Sequence, residues 1–167
     1  PAMHDALAGR PITARGFTIA EGIAVKAPGA RTLPVIAELV EEILLAAEGE
    51  LEYAVHLIAE IEKLVAEGAG AAALAAVLAH EALFAGKRVG IVVSGGNIDS
   101  RLLAQVLMRG LVRDGKMVRL RVEVSDLPGS LARITAVIAR LGGNVIEVDH
   151  ERWFEDVPVR LTEIDFL

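Results

Sequence analysis

With 167 residues, 53% of them hydrophobic and 24% charged, the chain can form one ordinary domain or two small ones, and without cysteine it has no disulfide staple. Seventeen Lys and Arg against 23 Asp and Glu leave a net charge of -6, the wrong sign for a protein whose main partner is nucleic acid or an anionic membrane surface. No apolar run reaches the roughly 18 residues of a membrane span, and Pro1-Ala-Met-His-Asp5 offers no leader, so cytoplasm is the expected compartment.

Glycine and proline punctuate residues 1–34, which predicts loops and short strands there. Residues 32–42 carry Leu33, Ile36, Leu39 and Val40 at helical spacing, with Thr32 as N-cap and Pro34 in the first turn. A brief buried strand is expected over 43–46. Helical period returns over 49–67 through Leu51, Val55, Ile58, Ile61 and Val65. Residues 67–80 predict a helix of small residues, apolar nearly all round and therefore interior. Residues 87–93 read as a continuous apolar strand of the kind buried in a parallel sheet. It runs straight into Ser94-Gly-Gly-Asn-Ile-Asp99, and residues 100–113 are helical again.

From Val118 the texture changes. Val118, Leu120, Val122 and Val124 alternate with Arg119, Arg121 and Glu123, the period of a half-buried antiparallel strand. Asp126-Leu-Pro-Gly129 makes a turn, Ser130 can cap a helix through Leu131, Ile134, Ile138 and Leu141, and Gly142-Gly143 ends it. Strands are expected over 144–153 and 158–167. In the second, the apolar phase slips between Leu161 and Ile164, which predicts a bulge or an early end. The expected domains are therefore 1–116, part of an open α/β sheet, and 117–167, an α+β unit. Strand, helix, strand, strand is three quarters of a ferredoxin-like βαββαβ unit.

Among residues able to carry chemistry, Ser94-Gly-Gly-Asn97 stands first, because it follows a strand of an open α/β sheet at the end where ligand crevices form. Gly95 and Gly96 let the backbone approach a flat or anionic ligand, while Ser94 and Asn97 can each hydrogen-bond it. The plain alternative is a strand-to-helix turn in which Asn97 or Asp99 caps the next helix. Glu67, at a glycine-rich helix start, is either a pocket carboxylate or a simple complement to the helix dipole. Glu21, between Ala20 and Gly22, faces either a pocket or solvent. His4, His56, His80 and His150 show no metal-ligand spacing, so no metal site is expected. Phosphate-loop, dinucleotide and hydrolase motifs are missing from the sequence.

Taken together, Thr18-Ile-Ala-Glu-Gly-Ile-Ala-Val-Lys26 with Pro28-Gly29, Glu67-Gly-Ala-Gly-Ala71, Ser94-Gly-Gly-Asn-Ile-Asp99 and Arg109-Gly-Leu-Val112 resemble the C-terminal half of the threonine dehydratases. These are pyridoxal-phosphate-dependent threonine ammonia-lyases of the fold-type-II (tryptophan synthase β-like) class. Asp126-Leu-Pro-Gly-Ser-Leu131 and Gly142-Gly-Asn-Val145 resemble the start of an ACT domain, a small amino-acid-sensing module. The resemblance implies that Ser94 hydrogen-bonds the pyridine nitrogen of pyridoxal 5'-phosphate. It implies too that Glu67 and the turn at Gly68-Ala-Gly70 line the pocket, that Gly22 lies near the ring face, and that Gly95, Gly96 and Asn97 shape the turn beneath it. Asp126, Pro128, Gly129 and Asn144 would be effector contacts.

The implied reaction is β-elimination of water from threonine, giving 2-oxobutanoate and ammonia. A hydroxyl on the pyridine nitrogen suits such an elimination, since it leaves the ring only a moderate electron sink. The family's Schiff-base lysine belongs to an S-x-K block and its phosphate to a glycine-rich loop, and the sequence has neither. Lys26, Lys63, Lys87 and Lys116 sit in other contexts. The chain thus reads as an internal piece of such an enzyme, truncated in both domains and inactive alone, with a homo-oligomeric parent and threonine or serine as the bound amino acid. Two other readings stay open: a serine dehydratase or serine racemase, which shares the Ser-Gly-Gly-Asn turn, and a non-catalytic module that senses an amino acid or dimerises.

Overall fold

The computed structural model describes residues 1–12, 16–151 and 158–167. These form two compact units, Pro1–Gly110 and Leu111–Leu167.

The first unit is helical: α1 (Ala2–Leu7), α2 (Thr32–Leu39), α3 (Glu48–Leu57), α4 (Gly68–Ala79), α5 (Glu81–Phe84) and most of α6 (Ser100–Arg113). Its centre is the packing of α3 on α4, with Leu51, Ala54 and Val55 of the first buried with Ala71 and Ala75 of the second, together with Ala20, Ile58, Ala66 and Val106. Small side chains let these helices approach closely, as the alanine bias predicts. At the end of the unit, Gly110 abuts the ring of buried His56, where a Cβ would collide with the imidazole.

Several expectations shift. Loops do dominate the described part of 1–34, but its ordered pieces are helix α1, the 3-10 turn at Glu21–Ile23 and the start of α2, with no short strand among the described residues. Helix α2 ends at Leu39 and is preceded by Arg31, while the Thr32 hydroxyl donates back to the Gly29 carbonyl at 3.1 Å and does not cap. The helix expected to run to residue 67 stops short. After Leu57 it widens into a π turn, Ile58–Glu62, and ends at Lys63 in the left-handed region (φ 57°). Residues 43–46 and 87–93 join no ladder among the described residues, and Val92 of the second run is 76% exposed. An apolar run specifies a strand only when a neighbour supplies the opposing N–H and C=O groups.

The second unit holds the one sheet among the described residues: β1 (Leu120–Ser125), β2 (Val148–Glu151) and β3 (Leu161–Phe166), in the order β1-β3-β2, with α7 (Ser130–Arg140) connecting β1 to β2. Both pairings are antiparallel. This is the split βαβ arrangement with the third strand inserted between the first two. The expected strand 144–153 is shorter, and its residues 152 and 153 lie outside the described residues. No bulge interrupts β3, whose register runs unbroken from Ser125↔Leu161 to Leu120↔Phe166. The phase slip resolves because Thr162, not Leu161, shares the buried face with Ile164 and Phe166. Its hydroxyl hydrogen-bonds His150 Nε2 at 3.1 Å, which makes a polar residue tolerable there. Ser130 begins α7 but does not cap it: Gly129 (φ 88°) precedes the helix, and the Ser130 hydroxyl donates to the Ser125 carbonyl at 2.8 Å.

Candidate functional site

Three sequence-distant segments meet at the start of α4. Glu67 is its N-cap residue in extended conformation, and its N–H donates to the Gly95 carbonyl at 3.0 Å. This bond couples the helix start to the Ser94-Gly-Gly-Asn97 turn. One turn on, Gly70 lies against the same residue: a Cβ there would overlap the Gly95 carbonyl oxygen and stand 2.9 Å from its nitrogen. The two backbones are in contact because Gly70 carries no side chain. A Cβ on Gly95 would instead strike the Glu67 carboxylate, and one on Gly96 would lie 2.6 Å from the Val65 carbonyl. From the other side, the Ile19 carbonyl rests on Gly68, and Gly22 approaches Ala69, where an added Cβ would stand 3.1 Å from the alanine methyl.

The structure thus brings together Gly22, Glu67, Gly95 and Gly96, and with them Gly68 and Gly70. Ser94 is exposed at the head of the turn. Of the two cap candidates for α6, Asp99 serves: its Oδ1 accepts from the N–H groups of Arg101 at 3.0 Å and Leu102 at 3.1 Å. Asn97, exposed at the rim, is left out of that cap. Glu21 is also exposed, at the start of the 3-10 turn. Helix α4 opens with the amides of a Gly-Ala-Gly sequence, and no side chain caps it, so the positive pole of the helix lies at this end. An exposed hydroxyl on the Ser94 turn and this helix start are groups with the chemistry to hold a flat, anionic heteroaromatic group.

The effector candidates are distributed differently. Asp126 donates its N–H to the Arg160 carbonyl at 3.0 Å, and with Pro128 and Gly129 it forms the turn after β1. Asn144 precedes β2, which starts opposite Phe166, whereas the 126–129 turn follows the pair Ser125↔Leu161. The two loops therefore lie at opposite ends of the sheet, and one copy of the unit does not gather them into one site. No group of three or more potential metal ligands occurs among the described residues.

Glu48 has no counterpart among the residues expected from sequence. Its carboxylate accepts the Thr18 hydroxyl at 2.8 Å and the Ile19 N–H at 2.5 Å, holding the upstream segment against α3. No local pattern signals a contact across 30 positions.

Residues 1–95, more than half of the chain, match the family model described as pyridoxal-phosphate dependent enzyme. The chain belongs to this family. Among curated relatives, the L-threonine ammonia-lyase of Geobacter sulfurreducens is 42% identical over 154 residues, covering 92% of this chain and 38% of the relative. The chain spans little more than a third of that protein's length. Among solved structures, a T.th. threonine deaminase superposes with a TM-score of 0.53 at 36% identity, over 59% of this chain and 32% of its own. A maize serine racemase gives a TM-score of 0.53 at 32% identity, over 68% and 36%.

Proposed function

We propose that the chain is part of a threonine ammonia-lyase, contributing one wall of the cofactor pocket and a small regulatory unit. The observation that carries this reading is the meeting of the glycine-rich start of α4 with the Ser94–Asn97 turn, through the Gly70–Gly95 backbone contact and the Glu67 N–H to Gly95 carbonyl bond, with the Ser94 hydroxyl exposed on that turn. The match to L-threonine ammonia-lyase supports the choice of substrate. A similarity over 154 of 167 residues has to extend well past Gly110 into the second unit.

When bound, pyridoxal phosphate supplies the electron sink for removing the α-proton of an amino acid and expelling its β-hydroxyl. The residues of this chain that would hold and orient it are Ser94, whose hydroxyl would hydrogen-bond the ring nitrogen without carrying a charge, Gly95, Gly96 and Asn97 of the same turn, Glu67 with the Gly68–Gly70 amides, and Gly22. No lysine of the chain is assigned to the covalent link, and the Lys63 ammonium is turned back onto the Glu60 carbonyl.

The second unit is read as an ACT-like sensing module, on its β1-β3-β2 order and the 126–129 turn. Asp126, Pro128, Gly129 and Asn144 are its effector candidates, and the parent is read as a cytoplasmic homo-oligomer.

The test is threonine-dependent release of 2-oxobutanoate and ammonia. The longer protein that carries this sequence is expected to turn over threonine, and Ser94→Ala to lower the rate. The 167-residue chain alone is expected to show none, and turnover by it would overturn the assignment of the lysine to another segment.

A further inference from the structure

We propose that Glu48 is a positioning residue for the cofactor pocket, clamping residues 18–23 so that Gly22 stands correctly beside the start of α4. The inference rests on the pyridoxal-phosphate reading above. A glutamate in the first turn of a helix is ordinarily explained by the helix dipole, but here the carboxylate is engaged elsewhere. The end of α3 is tied by Glu50, whose carboxylate accepts the Ala47 N–H at 2.5 Å. Glu48 reaches 30 residues back, one oxygen taking the Thr18 hydroxyl at 2.8 Å and the other the Ile19 N–H at 2.5 Å. The Thr18 oxygen in turn accepts the Ala20 N–H at 3.1 Å.

Three consecutive residues are thereby fixed by one carboxylate, and two donors on two oxygens fix the segment's rotation as well as its distance. The contacts of the neighbouring residues depend on that placement. The Ile19 carbonyl lies on Gly68, Ala20 is 3% exposed in the core, and the 3-10 turn at Glu21–Ile23 brings Gly22 against Ala69. The hydrogen bonds of Glu48 go to Thr18 and Ile19 and to none of the proposed pocket residues, so it acts through the segment it holds.

The experiment combines two readouts on the protein purified with its cofactor: hydrogen exchange at the Ile19 and Ala20 amides, and affinity for pyridoxal 5'-phosphate by absorbance titration. Glu48→Ala is expected to speed exchange at both amides and to weaken cofactor affinity about tenfold, the scale of losing hydrogen bonds to a charged group. Glu48→Gln, which keeps one acceptor, is expected to fall between, and Thr18→Val to reproduce part of the effect. Thr18→Val combined with Glu48→Ala should be no worse than Glu48→Ala alone. Effects that add, or unchanged exchange at both amides, would overturn the clamp and leave Glu48 a helix-end charge. Should Glu48→Ala fail to fold, Thr18→Val and Glu48→Gln make the same comparison. A wild-type protein that holds no pyridoxal phosphate would sink the functional reading and the cofactor half of this inference, while exchange still decides the clamp.

Discussion

The two units are tight in opposite ways. In the first, closeness comes from atoms left out: Ala54, Ala66, Ala71 and Ala75 are fully buried, and Gly68, Gly70, Gly95 and Gly110 sit where a methyl group would collide. In the second, burial comes from atoms put in, with Ile164 at 0% and Phe166 at 3% exposure on the inner face of β3. In the first unit backbone meets backbone or a neighbouring side chain where those glycines lie, so side-chain volume is given up there. A small sheet has no such constraint and fills its buried face with branched and aromatic residues.

If that contrast is right, removing atoms should damage the second unit and adding them the first. Ile164→Ala should cost the most, about 2–5 kcal/mol for an isoleucine with no exposed surface, read as faster hydrogen exchange across β1 and β3. A loss under about 1 kcal/mol would mean that the sheet's buried face is loosely filled. Gly70→Ala should cost about 1–3 kcal/mol, since the added methyl meets backbone that cannot swing aside. Gly95→Ala should cost less in stability, because it meets the end of the flexible Glu67 side chain. Thermal melts of the two variants check the ordering, and equal losses would show that the Gly70–Gly95 contact yields easily.

A smaller effect of opposite sign is expected at Lys63. It is the one non-glycine residue with positive φ among those described, and it ends the π turn. A left-handed conformation costs an L-residue about 1–2 kcal/mol, so Lys63→Gly should stabilise the first unit by up to about 1 kcal/mol, even after losing the exposed lysine bond to the Glu60 carbonyl. A lower melting temperature would show that this bond outweighs the strain.

The same contrast explains what is legible from sequence. Helices α4 and α6 emerge within a residue of their expected bounds, since an alanine-rich run and the Asp99 cap are local signals. The glycine blocks at 67–70 and 94–96 stand out as a pair of candidates, and the structure brings them into contact. The apolar runs 43–46 and 87–93 look like paired strands and are not, because a ladder is a relation between segments. The phase of β3 misleads because Thr162, polar by composition, is buried with a histidine partner in another strand. Glu48 is invisible for the same reason.

The smallest expected effect is a pH dependence in the second unit. On the outer face of its sheet, Arg121 grips Asp165 through two bonds, at 2.9 and 2.7 Å, and Arg119 adds a contact at 3.5 Å. The hydrogen bond from Arg121 holds the Asp165 carboxyl below its ordinary 3.8; partial desolvation opposes this, and the charges of Arg121 and Arg119 reinforce it. A carboxyl whose pKa is lowered by folding binds its proton more readily when unfolded, so the pair stabilises the fold above 3.8 and loses that contribution as pH falls through the lower folded value. The pair is solvent-accessible, so the loss should be slight and should shrink further in high salt. Arg121→Ala should return the Asp165 titration toward its ordinary position and remove the acid-side loss, measured by the carboxyl chemical shift of Asp165. A loss that keeps its full size in high salt would mean that the pair is shielded from water, and the second unit would then owe its tightness to charge as well as to the filled inner face of β3.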